Sequence, residues 1–376
     1  MDPKTKFKLF KQNKNFCAVP WTNFQVYTNG DFKTCSYGQK IFGNVNETDI
    51  EDILKSKEML QLKQDMLDDK PNPNCVRCHS RAIAEDNFEY LKGHYNHLVK
   101  KEDVDYTDIE NFDLRCIDLH WSNVCNLRCI MCHPGQSSLI AKDMNMAWPT
   151  VNAKVIQTVI DMVVKNQYNL KEIYLSGGEP FYIPHNVRLL KAIDNKDVPL
   201  RINTNMHWTD SNKVYEQLKN FNNVQLTMSA DAIGEKFDYI RKGASWKTFI
   251  ENVEKVRNET NFEMRVNTIF SVINADTIDQ YIEHFYNIGI KDITINILFR
   301  PVEIDARNYP EHKKSVILDK LQKISEIIKD NNNLKNNIQN CIDQINKPKI
   351  HEFEHCLDRI TATHEKDWRD VFKDLT

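Results

Sequence analysis

The sequence predicts an α/β fold with a parallel sheet, preceded by a small cysteine-rich region and followed by a helical tail. From about residue 113 onward, short apolar runs typical of buried strands alternate with longer amphipathic stretches typical of helices. That alternation indicates βαβ units, in which helices cover both faces of the sheet. The three parts are predicted to cover residues 1–112, 113–310 and 311–376.

Six segments of the middle part are predicted to be strands, and five helices lie between them. Near the N-terminus, apolar alternation around the turn pair Asn29-Gly30 predicts a β-hairpin over residues 23–36. The strands are predicted at 115–121, 171–176, 199–204, 223–230, 263–272 and 291–298. The helices are predicted at 151–166, 186–194, 211–220, 245–258 and 276–288.

The composition is that of a globular chain with no strong charge preference. The 376 residues include 50 basic and 53 acidic side chains, which gives a net charge of −3. This balance provides no electrostatic drive toward nucleic acid or an anionic membrane. The sequence has neither the run of 18 apolar residues that a membrane span needs nor a secretory signal. Ten cysteines without such a signal predict a reducing, cytoplasmic location, where thiols are available for metals.

The most specific motif is CNLRCIMC, in which Cys125, Cys129 and Cys132 have CxxxCxxC spacing. The motif follows the first predicted strand of the middle part. A [4Fe–4S] cluster normally takes four cysteine thiolates, so three thiolates leave one iron with an open coordination position. An open position on a bound metal is where reactions take place. A structural zinc site would require a fourth ligand and paired spacings, which fit this run poorly.

The CxxxCxxC motif resembles that of the radical S-adenosylmethionine (radical SAM) superfamily. About 45 residues later, Ser176-Gly177-Gly178-Glu179-Pro180 resembles the superfamily's GGEP motif at the end of the second strand. Glycines let the backbone approach a ligand closely, and a carboxylate accepts hydrogen bonds from an ammonium group. The resemblance implies a partial (β/α)6 barrel whose open iron chelates the methionine moiety of S-adenosylmethionine (SAM). It also implies that Gly177, Gly178 and Glu179 contact the amino group of that moiety.

Three further segments resemble SAM-binding positions of the superfamily. One follows the third strand and resembles Thr-Asn-Gly near the nucleoside, with Met206 in place of the glycine. Another ends the fourth strand and resembles Ser-x-Asp, whose hydroxyl and carboxylate suit the ribose or the methionine carboxylate. The third matches an arginine that binds this carboxylate as a fork. Helix capping or a surface position is the structural alternative for each. The residues are Asn203, Asn205, Ser229, Asp231 and Arg241.

A second set of four cysteines lies in the N-terminal part. The predicted hairpin would bring the first two together, and a CxxC motif supplies the other two. The arrangement resembles the SPASM or twitch domain, which carries an auxiliary [4Fe–4S] cluster and in most radical SAM enzymes follows the barrel. Four thiolates fill all iron sites, which favours electron transfer, but a structural zinc fits the same ligands. The set comprises Cys17, Cys35, Cys75 and Cys78.

The resemblance implies an enzyme that cleaves SAM reductively to methionine and a 5′-deoxyadenosyl radical, which abstracts hydrogen from a substrate. The closed auxiliary cluster favours a net oxidation, such as a dehydrogenation or a peptide cross-link. The expected partners are SAM, a small-molecule or peptide substrate and a flavodoxin- or ferredoxin-type reductant, without membrane or nucleic acid. The alternative is a non-catalytic interaction protein that binds zinc or an iron–sulfur cluster. Further pocket candidates near strand ends are His120, Met206, His207, Trp208, Phe299 and Arg300.

Overall fold

A computed structural model of the chain describes residues 1–78, 95–298, 300–328 and 331–375. The chain divides into two compact units, each assembled from several stretches. The first unit comprises Met1–Val124, Asn145–Ile202 and Lys213–Val224. The second comprises Cys125–Met144, Asn203–Asn212 and Gln225–Thr376. The domain boundaries near residues 112 and 310 stay a prediction from the sequence.

The first unit contains a mostly parallel sheet with the strand order β3-β2-β1-β4-β5-β6. Strands β4, β5 and β6 run parallel to one another, as the alternation of strands and helices predicts. Strand β1 adds to this sheet by pairing in parallel with β4, which the sequence did not indicate. The strands are β1 (Asn23–Val26), β2 (Asp31–Lys33), β3 (Gly43–Asn44), β4 (Cys116–Leu119), β5 (Glu172–Leu175) and β6 (Leu200–Thr204), the last of which ends in the second unit.

The predicted N-terminal hairpin is confirmed. Strands β1 and β2 pair antiparallel, with Gln25 opposite Lys33. The backbone N–H of Tyr27 donates to the carbonyl of Asp31 at 2.9 Å and closes the turn. Gly30 in this turn has a φ of +88°, a left-handed conformation that glycine adopts at little cost.

The second unit contains three parallel strands that pair in sequence order. They are β7 (Val224–Ser229, from its second residue onward), β8 (Glu263–Phe270) and β9 (Ile293–Ile297). Each lies within the segment predicted for it. The structure therefore confirms the α/β class with parallel strands that the residue pattern predicts.

The predicted helices form to within two residues at each end, and the C-terminal region is helical. Within the part of the chain described, the helices are too short or too polar to cross a lipid bilayer. In the first unit the helices are Pro3–Phe7, Val19–Thr22, Ile50–Leu54, Lys57–Leu67, Ala153–Asn166, Pro184–Ala192 and Lys213–Leu218. In the second unit they are Ser138–Asp143, Gly234–Ile240, Trp246–Glu259, Ile278–Asn287, Lys314–Ile327, Asn332–Ile345, Glu354–Thr361 and Trp368–Val371.

The strands of the first unit have one apolar and one polar face. On the apolar face, Ile117 and Leu119 of β4 and Ile173 of β5 are inaccessible to solvent. Because successive strand residues point to opposite sides, Asp118 and its register partner Tyr174 lie on the other face. Asp118 is buried there, so polar side chains occupy the interior next to the strand ends.

Candidate cluster and cofactor sites

The CxxxCxxC motif forms a loop, residues 125–132, which we call the cysteine loop. Ser138 anchors its beginning, because its Oγ accepts a hydrogen bond from the backbone N–H of residue 125 at 3.3 Å. Ser137 anchors its middle by donating from Oγ to the carbonyl of Leu127 at 2.7 Å. Both serines belong to the start of the helix Ser138–Asp143, whose N-cap is Ser137. The loop carries three half-buried cysteines that form no disulfide, Cys125, Cys129 and Cys132.

A second segment, residues 240–243, runs alongside the cysteine loop. Two backbone hydrogen bonds of 2.9 Å join them, on either side of Cys129 in the loop and of Arg241 in the segment. Arg241 therefore lies opposite Cys129, and its Nη1 donates to the Cys129 Sγ at 3.8 Å. The bonded pairs are Arg128 N with Lys242 O and Ile130 N with Ile240 O.

Asp231 holds the guanidinium of Arg241 in place. Arg241 Nη2 and Asp231 Oδ2 form a buried ion pair of 2.6 Å. The carboxylate is itself fixed, because its Oδ1 accepts from the backbone N–H of Ile269 at 3.0 Å. Asn274 adds a bond of 2.8 Å to the Asp231 carbonyl. Burial acts to lower the pKa of Arg241, but Asp231 and the Cys129 thiol raise it above its usual value, so the guanidinium stays charged.

The electrostatic surroundings of Cys129 include a cation and the two other thiols of the loop. Burial raises the pKa of the Cys129 thiol, and Arg241 acts in the opposite direction. Cys132 and Cys125 are close enough to raise it further by charge repulsion. Burial likewise raises the pKa of Cys132. Three thiols that influence one another within eight residues are a suitable donor set for a cluster once they are deprotonated.

Asn205 links the end of β6 to the cysteine loop. Its Nδ2 donates to the Oδ1 of Asn126 at 2.8 Å, and Asn126 Nδ2 donates to the carbonyl of His207 at 2.8 Å. Asn205 Oδ1 also accepts from the backbone N–H of His207 at 2.9 Å. Asn205 thus braces the loop, a contact that the sequence did not reveal. Asn126 lies within the motif itself, and that position was the only available signal.

Met206 occupies a position that favours glycine. Its φ is +56°, in the left-handed region that costs a residue with a Cβ about 1–2 kcal/mol. The superfamily pattern to which this segment is similar has glycine here, and the backbone geometry explains that preference. Met206 is fully buried, and Asn252 Nδ2 donates to its carbonyl at 2.8 Å. Asn252 comes from the polar helix Trp246–Glu259, where nothing in the sequence distinguished it.

The remaining predicted residues of the second unit lie at strand ends. Asn203 is half-buried near the end of β6, and Ser229 is half-buried as the last residue of β7. Ser229 is the register partner of Asn267 in β8. The carboxyl ends of parallel strands are where α/β folds bind ligands.

In the first unit, residues 176–180, which we call the Gly-Gly segment, pack directly on the backbone of residues 122–124. Gly178 N donates to Ser122 O at 2.9 Å, and Glu179 N donates to Val124 O at 2.7 Å. A Cβ on Gly178 would lie 2.1 Å from Val124 O, so only glycine permits this approach. Gly177 has a φ of +112°. Glu179 is buried and accepts at Oε1 from the backbone N–H of Phe181 at 3.1 Å.

His120 follows β4 on the polar face of the first unit. Its Nδ1 lies 3.3 Å from Ser176 Oγ, and its ring stacks on Tyr27 at 5.5 Å between centroids. Tyr174 contacts the ring edge-on at 5.8 Å. Burial, with a further contribution from the charge of Arg201, lowers the pKa of His120 to about 4. His120 is therefore neutral at physiological pH.

The four N-terminal cysteines line one apolar pocket in the first unit. Tyr37, Met66 and Tyr95 are among its other lining residues, and all four cysteines are half-buried and form no disulfide. Burial raises the pKa of Cys35 to about 11, and the Cys17 thiol contributes to that shift. The pocket confirms that Cys17 and the hairpin residue Cys35 lie together, near the CxxC pair Cys75 and Cys78.

The two cysteine sets fit iron–sulfur ligation by their chemistry. Within the described ranges, no group of three or more histidine, cysteine, aspartate or glutamate side chains is arranged to hold a metal ion as it stands. The cysteine loop supplies three thiols and the pocket supplies four, and thiolates are the ligands of iron–sulfur clusters. The other cysteines, Cys116, Cys341 and Cys356, are buried. Of the further pocket candidates, Trp208 is buried and Arg300 is exposed, and Phe299 lies outside the described residues.

Two family profiles match the chain in the regions that the motifs identify. The Radical SAM superfamily profile matches residues 119–286 and contains the cysteine loop and the Gly-Gly segment. The profile of SPASM, an iron–sulfur cluster-binding domain, matches residues 17–79 and contains the four pocket cysteines. Both resemblances inferred from the motifs are confirmed, with the SPASM region preceding the radical SAM region. Comparison with curated proteins gave no match.

Several solved structures match at low sequence identity. "Native anSMEcpe with bound AdoMet and Cp18Cys peptide" is 16% identical with a TM-score of 0.42, and the match covers 56% of this chain and 58% of that one. SuiB from Streptococcus suis bound to the precursor peptide SuiA is 15% identical with a TM-score of 0.41, covering 65% and 51%. TYW1 with a lysine-pyruvate adduct is 14% identical with a TM-score of 0.36, covering 58% and 74%. The chain spans less than two thirds of the length of anSMEcpe and SuiB.

Proposed function

We propose, since the Radical SAM superfamily profile matches residues 119–286, that this chain is an enzyme that cleaves SAM and removes hydrogen from a substrate. When bound, the cluster supplies an electron that breaks the carbon–sulfur bond of SAM to give methionine and a 5′-deoxyadenosyl radical. The chain's own residues hold the cluster, bind and orient SAM and the substrate, and exclude water from the reaction.

The cysteine loop is the observation that carries this proposal. It offers three thiols at Cys125, Cys129 and Cys132, and a three-thiolate set leaves one iron open. The loop is braced by Ser137 and by the Asn126–Asn205 pair, so the thiols are held by fixed backbone. The cation of Arg241 beside Cys129 favours the thiolate, which is the form that binds metal.

We propose that the Gly-Gly segment binds the amino group of SAM. The backbone at Gly177 and Gly178 carries no side chain that would keep a ligand at a distance. Glu179 is a buried carboxylate, and a buried carboxylate gains most from a cationic partner such as the ammonium of SAM. The same segment is bonded to residues 122–124, which lead into Cys125.

We propose that the strand-end residues of the second unit bind the nucleoside part of SAM. The amide of Asn203 and the hydroxyl of Ser229 provide donors and acceptors for the nucleoside and its ribose hydroxyls. The structure supports bracing of the cysteine loop as a further role of Asn205, and it places Asp231 in an ion pair with Arg241. These residues therefore organise the site through their neighbours as well as through any ligand contact.

We propose that the pocket cysteines hold a second, closed [4Fe–4S] cluster. The SPASM match implies iron–sulfur binding there, and the four thiols line one pocket. A site with four protein ligands and no open iron is suited to electron transfer. It would accept an electron from the substrate radical, which also releases a proton to the surroundings. The result is a net oxidation of the substrate, such as a dehydrogenation or a cross-link. The substrate is a small molecule or a peptide, and the external reductant is of the flavodoxin or ferredoxin type.

The proposal is tested by reconstituting the protein anaerobically with iron and sulfide. Iron and zinc are counted per chain, and 5′-deoxyadenosine is measured after SAM and a strong reductant are added. The comparison is with a variant in which the three loop cysteines are serine. We expect about eight irons and product from the wild-type chain, against about four irons and no product from the variant, because each cluster holds four irons.

The other outcomes separate the parts of the proposal. About four irons and one zinc, with product, would leave the enzyme and assign the pocket cysteines to structural zinc. No product from a protein that holds iron at the cysteine loop would contradict the enzymatic function and favour a metal-binding interaction protein.

A further inference from the structure

We infer that Arg241 is a positioning residue for Cys129. It holds the Cys129 thiol in place and puts a permanent positive charge beside this proposed cluster ligand. That charge would make the cluster at the cysteine loop easier to reduce. The inference rests on the proposed function, because it requires a cluster at this loop. It assigns Arg241 a role through Cys129 that is separate from any contact with the methionine carboxylate.

The backbone places Arg241 opposite Cys129. The two 2.9 Å hydrogen bonds between the cysteine loop and residues 240–243 flank this pair on both sides. Gly243, with a φ of +98°, lets the segment turn at the loop, where a Cβ would lie 3.4 Å from Asn126 O. The register of the two bonded segments therefore places Arg241 opposite Cys129, and the ion pair with Asp231 holds its guanidinium there.

Two of the three guanidinium nitrogens of Arg241 have partners within the protein. Nη1 is bonded to the Cys129 Sγ, and Nη2 is paired with the Asp231 Oδ2 at 2.6 Å. Nε is buried and has no acceptor within the part of the chain described. A guanidinium has five N–H donors, so these two contacts fix its plane without using all of its donors. Loss of the Asp231 pair would leave a fully buried carboxylate without its cation, which is costly, so the pair keeps the guanidinium in this position.

A fixed cation beside a ligand sulfur changes the energy of the reduced cluster. Reduction adds a negative charge, and a nearby positive charge stabilises it most strongly where water is excluded. Hydrogen bonds to the sulfurs and the net charge around a cluster are among the factors that set its potential. Asp231 partly offsets the cation, so the net effect at Cys129 is the difference between a near positive charge and a more distant negative one.

The test is a redox titration of the reconstituted holoprotein, followed by electron paramagnetic resonance. The signal of interest is identified as the one that is absent from Cys129→Ser. Arg241→Gln removes the cation, Arg241→Lys keeps a charge at the site, and Asp231→Asn removes only the counter-charge. Arg128→Gln is the matched control, because Arg128 precedes Cys129 but its Nε pairs with Asp143 and not with a thiol. The dissociation constant of SAM is measured in parallel by equilibrium dialysis.

We expect Arg241→Gln to make one-electron reduction about tenfold less favourable, which is about 59 mV for one electron. Asp231→Asn should shift the potential in the opposite direction, and Arg241→Lys and Arg128→Gln should leave it within about threefold of the wild type. Opposite shifts in two variants of one ion pair do not arise from general loss of folding.

Three outcomes would overturn the inference. One is an unchanged potential in Arg241→Gln together with SAM binding weakened tenfold or more, which is the signature of a carboxylate contact. Another is an equal shift in Arg128→Gln, which would make the effect nonspecific. A wild-type chain that assembles no cluster at the loop would instead refute the proposed function, and with it the premise of this inference.

Discussion

Replacing Gly178 with alanine tests the close approach between the Gly-Gly segment and the backbone that leads into the cysteine loop. The new Cβ would lie 2.1 Å from Val124 O and 2.6 Å from the Asn123 carbonyl carbon, whereas real Cβ atoms keep at least 3.0 Å. A retreat of about 0.9 Å would stretch the 2.7 Å bond from Glu179 N to Val124 O beyond hydrogen-bonding distance. Losing two hydrogen bonds at about 1 kcal/mol each and adding about 1–3 kcal/mol of overpacking strain should lower the free energy of unfolding by about 3–5 kcal/mol.

Urea unfolding of the metal-free protein measures this loss, and iron content after reconstitution measures its effect on the neighbouring Cys125. The matched control is Gly234→Ala, since Gly234 has a φ of +56° but, apart from its chain neighbours and its own helix backbone, nothing lies within 4 Å of its Cβ position. The free energy of unfolding of that control should fall by only about 1–2 kcal/mol, because of backbone strain. A Gly178→Ala protein as stable as wild type, with full iron content, would refute the reasoning from close approach.

Three further predictions concern the glycine-like position of Met206, the half-buried His120 and the N-terminal cysteines. Met206→Gly should relieve about 1–2 kcal/mol of backbone strain but lose about 2–5 kcal/mol of buried side-chain packing. Urea unfolding should therefore show a net loss in the free energy of unfolding. A variant more stable than wild type would mean that the strain outweighs the packing. His120 titrates near pH 6.5 when unfolded and near 4 when folded, so the unfolded chain binds more protons between these values and stability falls as pH falls. The stability advantage of wild type over His120→Asn should therefore shrink by about 3 kcal/mol or less from pH 7 to pH 4 in urea unfolding, and a constant difference would contradict the burial of a neutral imidazole. Serine at the four pocket cysteines should remove about four irons per chain while 5′-deoxyadenosine formation persists, and unchanged iron would exclude them as ligands. These cysteines are Cys17, Cys35, Cys75 and Cys78.

The fold was largely predictable because its strands and helices are marked by local patterns. Short apolar strands between amphipathic helices identified the six strands from β4 to β9, and Asn29-Gly30 identified the hairpin. The parallel pairing of β1 with β4 was not predictable, because it joins residues about 90 positions apart and depends on tertiary packing. The division into two units draws on separate stretches of chain, which no local pattern reveals.

The candidate site was predictable where its chemistry is carried by a rare spacing. Cysteine spacing and the Gly-Gly segment identified the two parts that the family profiles match. The contacts of Arg241 and Asn205 were not predictable, because an arginine or an asparagine on a loop has many possible partners. The left-handed conformation of Met206 shows the same limit, since a buried methionine gives no sign of its backbone angle.

The most direct test of the central claim is whether SAM binds to the cluster at the cysteine loop. We would replace the four pocket cysteines by serine, reconstitute the protein, reduce the remaining cluster and record its electron paramagnetic resonance spectrum before and after adding SAM. A three-thiolate cluster with an open iron predicts a changed spectrum with SAM and an unchanged spectrum with adenosine, which lacks the methionine moiety. A spectrum that SAM leaves unchanged, from a fully loaded cluster, would contradict the account.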